Sequence, residues 1–372
     1  MIKLTVEIPR ETLFSYPIYI GRETLKFLVE EINKLSPSQI VIITDTTVSS
    51  LHLPKVEYQL SILNLPTLKI VVPSGEKSKS RKMKERIENQ MLKSKVDRKA
   101  VILAFGGGVI GDLAGFVSAT YHRGINFIQL PTTLLAMVDS SIGGKVGIDT
   151  PYGKNTIGAF HQPRAVVSEL MFLDTLPEEH FKNGLAEILK HSIIKDEEFY
   201  KFLLENSEGV KNKDAEILSK VIEWSCRIKK EIVESDEREE GLRKILNFGH
   251  TIGHAIELLS NFRILHGLAV SVGMILEAFI SLKIGILPKE EYEKIVSLIS
   301  KFELPISLRE IGLKGTQKVF ERMIEFMKGD KKSVYREIKM SLPKKIGKMT
   351  DSFVVTVEPS VIMKSLKEIN AL

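Results

Sequence analysis

The chain has one cysteine, Cys226, among its 372 residues. That excludes an internal disulfide and any zinc site built from thiolates, so a metal here would have to be held by histidine and carboxylate. There is no arginine-rich arm and no basic strand studded with aromatics, the usual footprints of nucleic-acid binding. The opening stretch MIKLTVEIPRE lacks the apolar core of a signal peptide. The longest apolar stretch, Ile264 to Leu282, carries His266 and Glu277 and reads as a buried helix rather than a membrane span. These absences leave the cytoplasm as the expected location, with neither nucleic acid nor membrane as a partner.

What is present is a soluble globular composition, 43% hydrophobic and 27% charged, over a length that suits two domains. The net charge of +6 favours anionic ligands. The densest lysine run, Lys77 to Lys99, is interleaved with Glu76, Glu85, Glu88 and Asp97, as on a solvated helical face.

Short β-branched runs at 40–44, 68–72, 101–105 and 127–130 alternate with helical patterns such as 80–92, which predicts a parallel sheet with helices on its faces. Leu4–Ile8 and Tyr16–Ile20 could add a hairpin in front of it. From about Asp174 strand runs almost vanish, and amphipathic segments take over at 186–194, 217–233, 269–282 and 292–302. The expectation is a Rossmann-like α/β nucleotide-binding domain, residues 1–173, and a mainly α-helical domain, residues 174–372, with a ligand cleft between them.

In VILAFGGGVIGDLAGF a strand runs into a glycine cluster and then a helix start. Gly106, Gly108 and Gly111 satisfy G-x-G-x-x-G, a turn that lets backbone approach a pyrophosphate at a helix N-terminus. No acidic residue lies between Asp112 and Asp139 to hold a ribose at the usual spacing. Asp45, ending the run IVIITD, could substitute, and Glu76 and Lys79 end the next strand.

Three of the eight histidines fall in NFGHTIGHAIELLSNFRILHG. His250 and His254 share a helical face, and His266 follows a break. Glu187, in NGLAEILKH, lies beside a glycine turn between apolar neighbours, a poor place for mere solubility. Glu187, His250 and His266 would form a His₂Glu set able to hold catalytic zinc, although spacing alone does not choose between His250 and His254. Cations and amides surround these motifs: Arg123, Lys145, Lys154, Asn155, Lys229, Arg243 and Asn247. The stretches DSSIGGKVGID and TPYGKNTIGAFHQP read as long Gly/Ser-rich loops at the carboxyl ends of parallel strands, where sites form. A metal among several cations suits a small substrate carrying phosphate and carboxylate.

Taken together, FGGGVIGDLAGFVSATYHRGINFIQLPTTLLAMVDSSIGGKVGID, GKNTIGAFHQP, GLAEILKH, DEREEGLRKILNFGHTIGHAIE and LHGLAVSVGM closely resemble the 3-dehydroquinate synthase family of sugar-phosphate cyclases, through most of the chain. The resemblance implies that family's fold and names Glu187, His250 and His266 as zinc ligands, with cobalt also admissible. It places Asp45, Glu76, Lys79, Gly107, Gly108, Val109, Asp112, Thr132, Thr133, Thr175 and Leu176 against NAD, and Lys154 between cofactor and substrate. Asp139, Lys145, Asn155, Lys190, Lys229, Arg243, Asn247 and His254 fall at substrate-contacting positions, with Lys145, Lys190, His254 and Asp139 nearest the chemistry. Arg123 would help hold phosphate. The late phosphate contact falls among Lys344, Lys345 and Lys348, in a segment lacking the family's usual glycine before Arg336.

The implied reaction converts 3-deoxy-D-arabino-heptulosonate 7-phosphate to 3-dehydroquinate and phosphate, in the shikimate pathway. It proceeds by transient NAD-dependent oxidation, phosphate elimination, reduction and aldol closure, and the family expectation is a homodimer. The rival readings are another sugar-phosphate cyclase, or a metal- and NAD-dependent polyol dehydrogenase. The GGK and GKN loops count against the dehydrogenase, which needs no phosphate-elimination site.

Overall fold

The computed structural model describes residues 14–151, 153–328 and 337–371. Its first half runs β1 (Ile18–Gly21), α1 (Leu25–Leu35), β2 (Ile40–Asp45), α2 (Thr46–Leu60), β3 (Thr67–Val72), α3 (Arg81–Lys93), β4 (Val101–Gly106), α4 (Gly108–Thr120) and β5 (Asn126–Pro131). A π-helical turn, Ala136–Ser140, leads into β6 (Lys145–Thr150) and β7 (Gly153–Phe160), and then β8 (Val166–Glu169). Six strands form one parallel sheet in the order β1-β8-β5-β4-β2-β3.

The four β-branched runs form β2, β3, β4 and β5, and both faces of the central strands are covered. Ile40 and Ile42 pack with Leu53 and Val56 of α2 on one face. Val41 and Ile43 pack with Ile87 of α3 and Leu113 of α4 on the other. Neighbouring β2 and β4 therefore send their following helices to opposite faces. That leaves a crevice at their carboxyl ends, where open α/β sheets bind ligands.

Ile18 to Gly21 pairs in parallel with β8 at the sheet edge, and the Leu4–Ile8 half of the expected hairpin lies outside the described residues. One expectation needs correction. The two stretches read as loops contain instead the antiparallel hairpin β6–β7. Val146 and Ile148 alternate onto α4 and are buried there, a two-residue period that the intervening Gly147 hides in the sequence.

The second half is mainly helical, as expected: α5 (Glu178–Lys195), α6 (Glu197–Glu205), α7 (Ser207–Lys211), α8 (Ala215–Ser235), α9 (His250–Leu259), α10 (His266–Lys283), α11 (Lys289–Lys301) and α12 (Gln317–Met327). Short strands β9 (Ile338–Met340), β10 (Pro343–Lys345), β11 (Lys348–Met349) and β12 (Val355–Val357) precede α13 (Pro359–Ala371). The apolar run of the sequence is α10; it has the length and hydropathy of a span, but 78% of that window is buried inside the protein. Cys226 is buried in α8, and burial pushes its thiol up to about 12, which keeps it unreactive.

Two close approaches fix α10 against its neighbours. A Cβ on Gly267 would stand 2.0 Å from the Asn183 carbonyl of α5, and one on Gly273 would stand 2.0 Å from the Gly249 carbonyl before α9. The Asn183 side-chain oxygen also accepts the Gly267 N–H at 2.6 Å. Only glycine permits backbones this close.

Candidate metal and dinucleotide site

These contacts carry three side chains to one point. Glu187 projects from α5, while His250 and His266 are the first residues of α9 and α10. Their ligand atoms all lie within 4.8 Å of one another. The Nε2 atoms of His250 and His266 stand 3.7 and 3.8 Å from Glu187 Oε1. Glu187 is fully buried and neither carboxylate oxygen accepts a hydrogen bond, although Lys190 Nζ forms an ion pair with Oε2. A buried carboxylate without hydrogen bonds is costly, and a cation bound by these three residues would satisfy it.

The remaining imidazole nitrogens are already committed. His250 Nδ1 donates to the Phe248 carbonyl at 3.2 Å, and His266 Nδ1 donates to Glu257 Oε2 at 3.0 Å. Each Nε2 lone pair is thus left for a metal. Burial, reinforced by the Lys190 charge, holds His250 well below its ordinary pKa, in the neutral form a ligand needs. Burial would raise Glu257, but His266 and Lys154 outweigh it and bring the carboxyl down to about 2. His254 is exposed, with its ring 5.3 Å from that of His250 and 5.9 Å from that of His266. Two other carboxylate–histidine groupings lie nearby, but their carboxylates are engaged: Glu257 with Lys154 and His266, Asp139 with Lys229.

Cations ring the triad. Lys229 Nζ donates to both the Asp139 side chain and its carbonyl. Burial alone would raise Asp139, yet the Lys229 and Lys190 ammoniums hold it far below the usual carboxylate range. Lys145 pairs with Glu239, whose other oxygen accepts Asn247 Nδ2 at 2.6 Å. Lys154 lies 2.9 Å from Glu257 and 3.2 Å from Glu76. Arg243 is buried and directs its guanidinium to the carbonyls of Gly143 and Glu237.

The dinucleotide candidates line the carboxyl edge of the sheet. Asp45 ends β2, where its Oδ1 caps α2 through the Thr47 and Val48 N–H groups and accepts the Ser74 hydroxyl. Gly107 and Gly108 open α4, with Val109 behind them. Thr132 and Thr133 follow β5; the Thr132 hydroxyl is buried and has no hydrogen-bond partner. A cradle free of side chains beside an orphaned hydroxyl fits a bound pyrophosphate. Thr175 and Leu176 close the edge beyond β8, and Thr175 Oγ1 meets His52 Nε2 at 2.8 Å. Lys79 is buried and bridges Asp112, at 2.5 Å, and the Asn155 side chain. Lys79 thereby joins one residue expected against cofactor, Asp112, to one expected against substrate, Asn155.

Arg123 follows α4, whose 13 residues carry the chain about 18–20 Å from the glycine loop. Lys344 pairs with Asp351, and Lys345 lies 3.9 Å from Glu197, both away from the triad. Arg336 lies outside the described residues. The sequence reading missed Glu239 and Glu257. Glu239 sits in the acidic run DEREE, which looks solvated, whereas Glu257 in GHAIE could have been found as the residue one turn beyond His254.

Two adjacent family models match the chain: 3-dehydroquinate synthase N-terminal over residues 69–183, and 3-dehydroquinate synthase C-terminal over residues 184–333. A 3-dehydroquinate synthase of Thermodesulfovibrio yellowstonii is 43% identical over 360 residues, 96% of this chain and 98% of that one. One from Dictyoglomus turgidum is 40% identical, covering 99% and 98%. Among solved structures, 2-deoxy-scyllo-inosose synthase complexed with carbaglucose-6-phosphate, NAD⁺ and Co²⁺ superposes with a TM-score of 0.85 at 25% identity, covering 94% of this chain and 96% of that one. ValA, a 2-epi-5-epi-valiolone synthase from Streptomyces hygroscopicus with NAD⁺ and Zn²⁺ bound, shares the fold at 24% identity, with a TM-score of 0.84 and coverage of 98% and 99%. With both halves matched and near-full-length relatives above 40% identity, the chain belongs to the 3-dehydroquinate synthase family.

Proposed function

We propose that the protein converts 3-deoxy-D-arabino-heptulosonate 7-phosphate to 3-dehydroquinate and phosphate, with NAD at the carboxyl edge of the sheet and zinc on Glu187, His250 and His266. The observation that carries this reading is the convergence of those three ligand atoms within 4.8 Å, beside Lys190 and the Asp139–Lys229 pair. Zinc and NAD, when bound, would supply Lewis acidity at the substrate hydroxyls and a reversible hydride acceptor.

The chain's own residues orient the rest. Lys190, Lys229 and Lys145 present ammonium groups to an anionic substrate, each held by a carboxylate that fixes its direction. Asn247 and His254 face the same space from the residues around α9. Lys154 and Asn155, on β7, bring the hairpin over the cleft to meet a phosphate. Residues 1–173 serve as the nucleotide domain, residues 174–372 as the metal and substrate domain, and two chains pair as a homodimer.

The test is inorganic phosphate release from the heptulosonate phosphate with zinc and catalytic NAD⁺, while the NADH absorbance is followed. Phosphate far exceeding the NAD supplied, without lasting NADH, is the expected result. Absence of phosphate release from folded, metal-loaded protein would point to another phosphorylated sugar. Accumulating NADH with a polyol would refute the cyclase reading.

A further inference from the structure

The helix α9 begins with a metal-facing residue but has no cap of its own. Its N-cap position is Gly249, in the left-handed region at φ 79°, with no side chain to accept the free N–H groups. The cap comes from α10: Glu277 is fully buried, and its Oε2 and Oε1 accept the Gly249 and Ile252 N–H groups at 2.8 and 3.0 Å. No cationic side chain pairs with this carboxylate among the described residues, and its hydrogen bonds come from backbone N–H groups. A buried acid costs stability unless something is gained by it.

We propose that Glu277 is a positioning residue for the metal centre: by capping α9 from α10, it fixes where His250 stands relative to His266. His266 is the first residue of α10, and Glu277 lies further along the same helix. Gly273, one turn before Glu277, holds the Gly249 backbone against α10. Both imidazoles are therefore referenced to a single helix. His250 is the residue after Gly249, and its Nδ1 donates to Phe248 within the same turn, so an error in the start of α9 passes directly to Nε2. This inference rests on the reading that Glu187, His250 and His266 hold a divalent metal.

The test is Glu277→Gln, which keeps the volume and one acceptor but turns an amide N–H₂ toward one of the two backbone donors. Zinc affinity is read by competition with a chromophoric chelator, the ligand field by the visible spectrum of the cobalt-loaded protein, and NAD binding by titration. The expected result is zinc affinity about 10-fold to 100-fold weaker, an altered cobalt spectrum and unchanged NAD affinity. A cap that served only stability would lower the melting temperature and leave the folded protein's zinc affinity and cobalt spectrum as in the wild type, and that outcome overturns the proposal. If Glu277→Gln does not fold, Glu277→Asp, which keeps the charge but withdraws it from both N–H groups, decides on the same readouts. A wild-type protein that binds neither zinc nor cobalt would instead remove the metal reading beneath it.

Discussion

Glu257 accepts His266 Nδ1 at 3.0 Å and Lys154 Nζ at 2.9 Å, so one carboxylate sets the tautomer of a metal-facing imidazole and anchors a cation of the β6–β7 hairpin. Removing it by Glu257→Ala frees the His266 ring and leaves Lys154 to Glu76 alone. Zinc affinity is expected to fall about 10-fold to 100-fold, as for other partners of metal-bound histidine. Chelator competition measures this, and wild-type affinity would show that the contact does not orient the ligand.

Lys190 shares its buried pocket with Glu187, so it opposes a second cation there while offering one to the substrate. Lys190→Ala should therefore bind zinc at least as tightly as the wild type, yet lose turnover by about 100-fold or more, the scale of a misplaced substrate. Phosphate release and NAD titration separate the two effects. Unchanged kinetics would take Lys190 out of the site.

The approach of Gly267 to Asn183 leaves no room for a methyl group. Gly267→Ala must push α10 away from α5, at a cost of about 1–3 kcal/mol by the usual penalty for overpacking. Because the shift separates His266 from Glu187, denaturant unfolding and zinc titration should both register it. A variant as stable as the wild type would mean that the two helices slide without cost.

His161 lies under the hairpin, stacked on Phe127 with ring centroids 5.2 Å apart, and its Nε2 meets Ser118 Oγ and the Ile125 carbonyl. Burial lowers its pKa from the ordinary 6.5. Its contribution to stability is therefore fully present above about pH 6.5 and is lost as pH falls through the lower folded value, because the unfolded chain takes up a proton that the folded chain resists. Melting of wild type and His161→Gln at about pH 7.5 and about pH 5 tests this. The wild type should lose more of its stability on acidification; parallel losses would assign the acid sensitivity elsewhere.

Much of this was legible in the sequence, for physical reasons that vary with the segment. The runs that became β2 and β4 were plain because strands buried on both faces are continuously apolar. The candidate metal ligands were legible as residue types, and the structure adds what spacing could not: His250 faces Glu187 because it starts α9, whereas His254, one turn on, is exposed. The hairpin was hidden because glycine faces glycine across it, at Gly147 and Gly158, where paired strands usually show side chains. Glu239 and Glu277 were illegible for opposite reasons. One lies in a charge run that resembles solvent-facing polarity, and the other is a lone acid in an apolar helix whose hydrogen bonds are to backbone 25 and 28 residues away.

The burial of α10 has a thermodynamic consequence. A ligand that binds only the native state raises the free energy of unfolding by RT ln(1 + [L]/Kd). Where ligands sit on a surface loop, local opening can release the ion while the core stays closed. Here His266 begins a helix buried for most of its length, and Glu187 is fully buried in α5. An ion held by these residues would therefore tie two core helices together, and its binding would stabilise the fold as a whole. A melting curve recorded against zinc concentration would read the metal's affinity without any substrate.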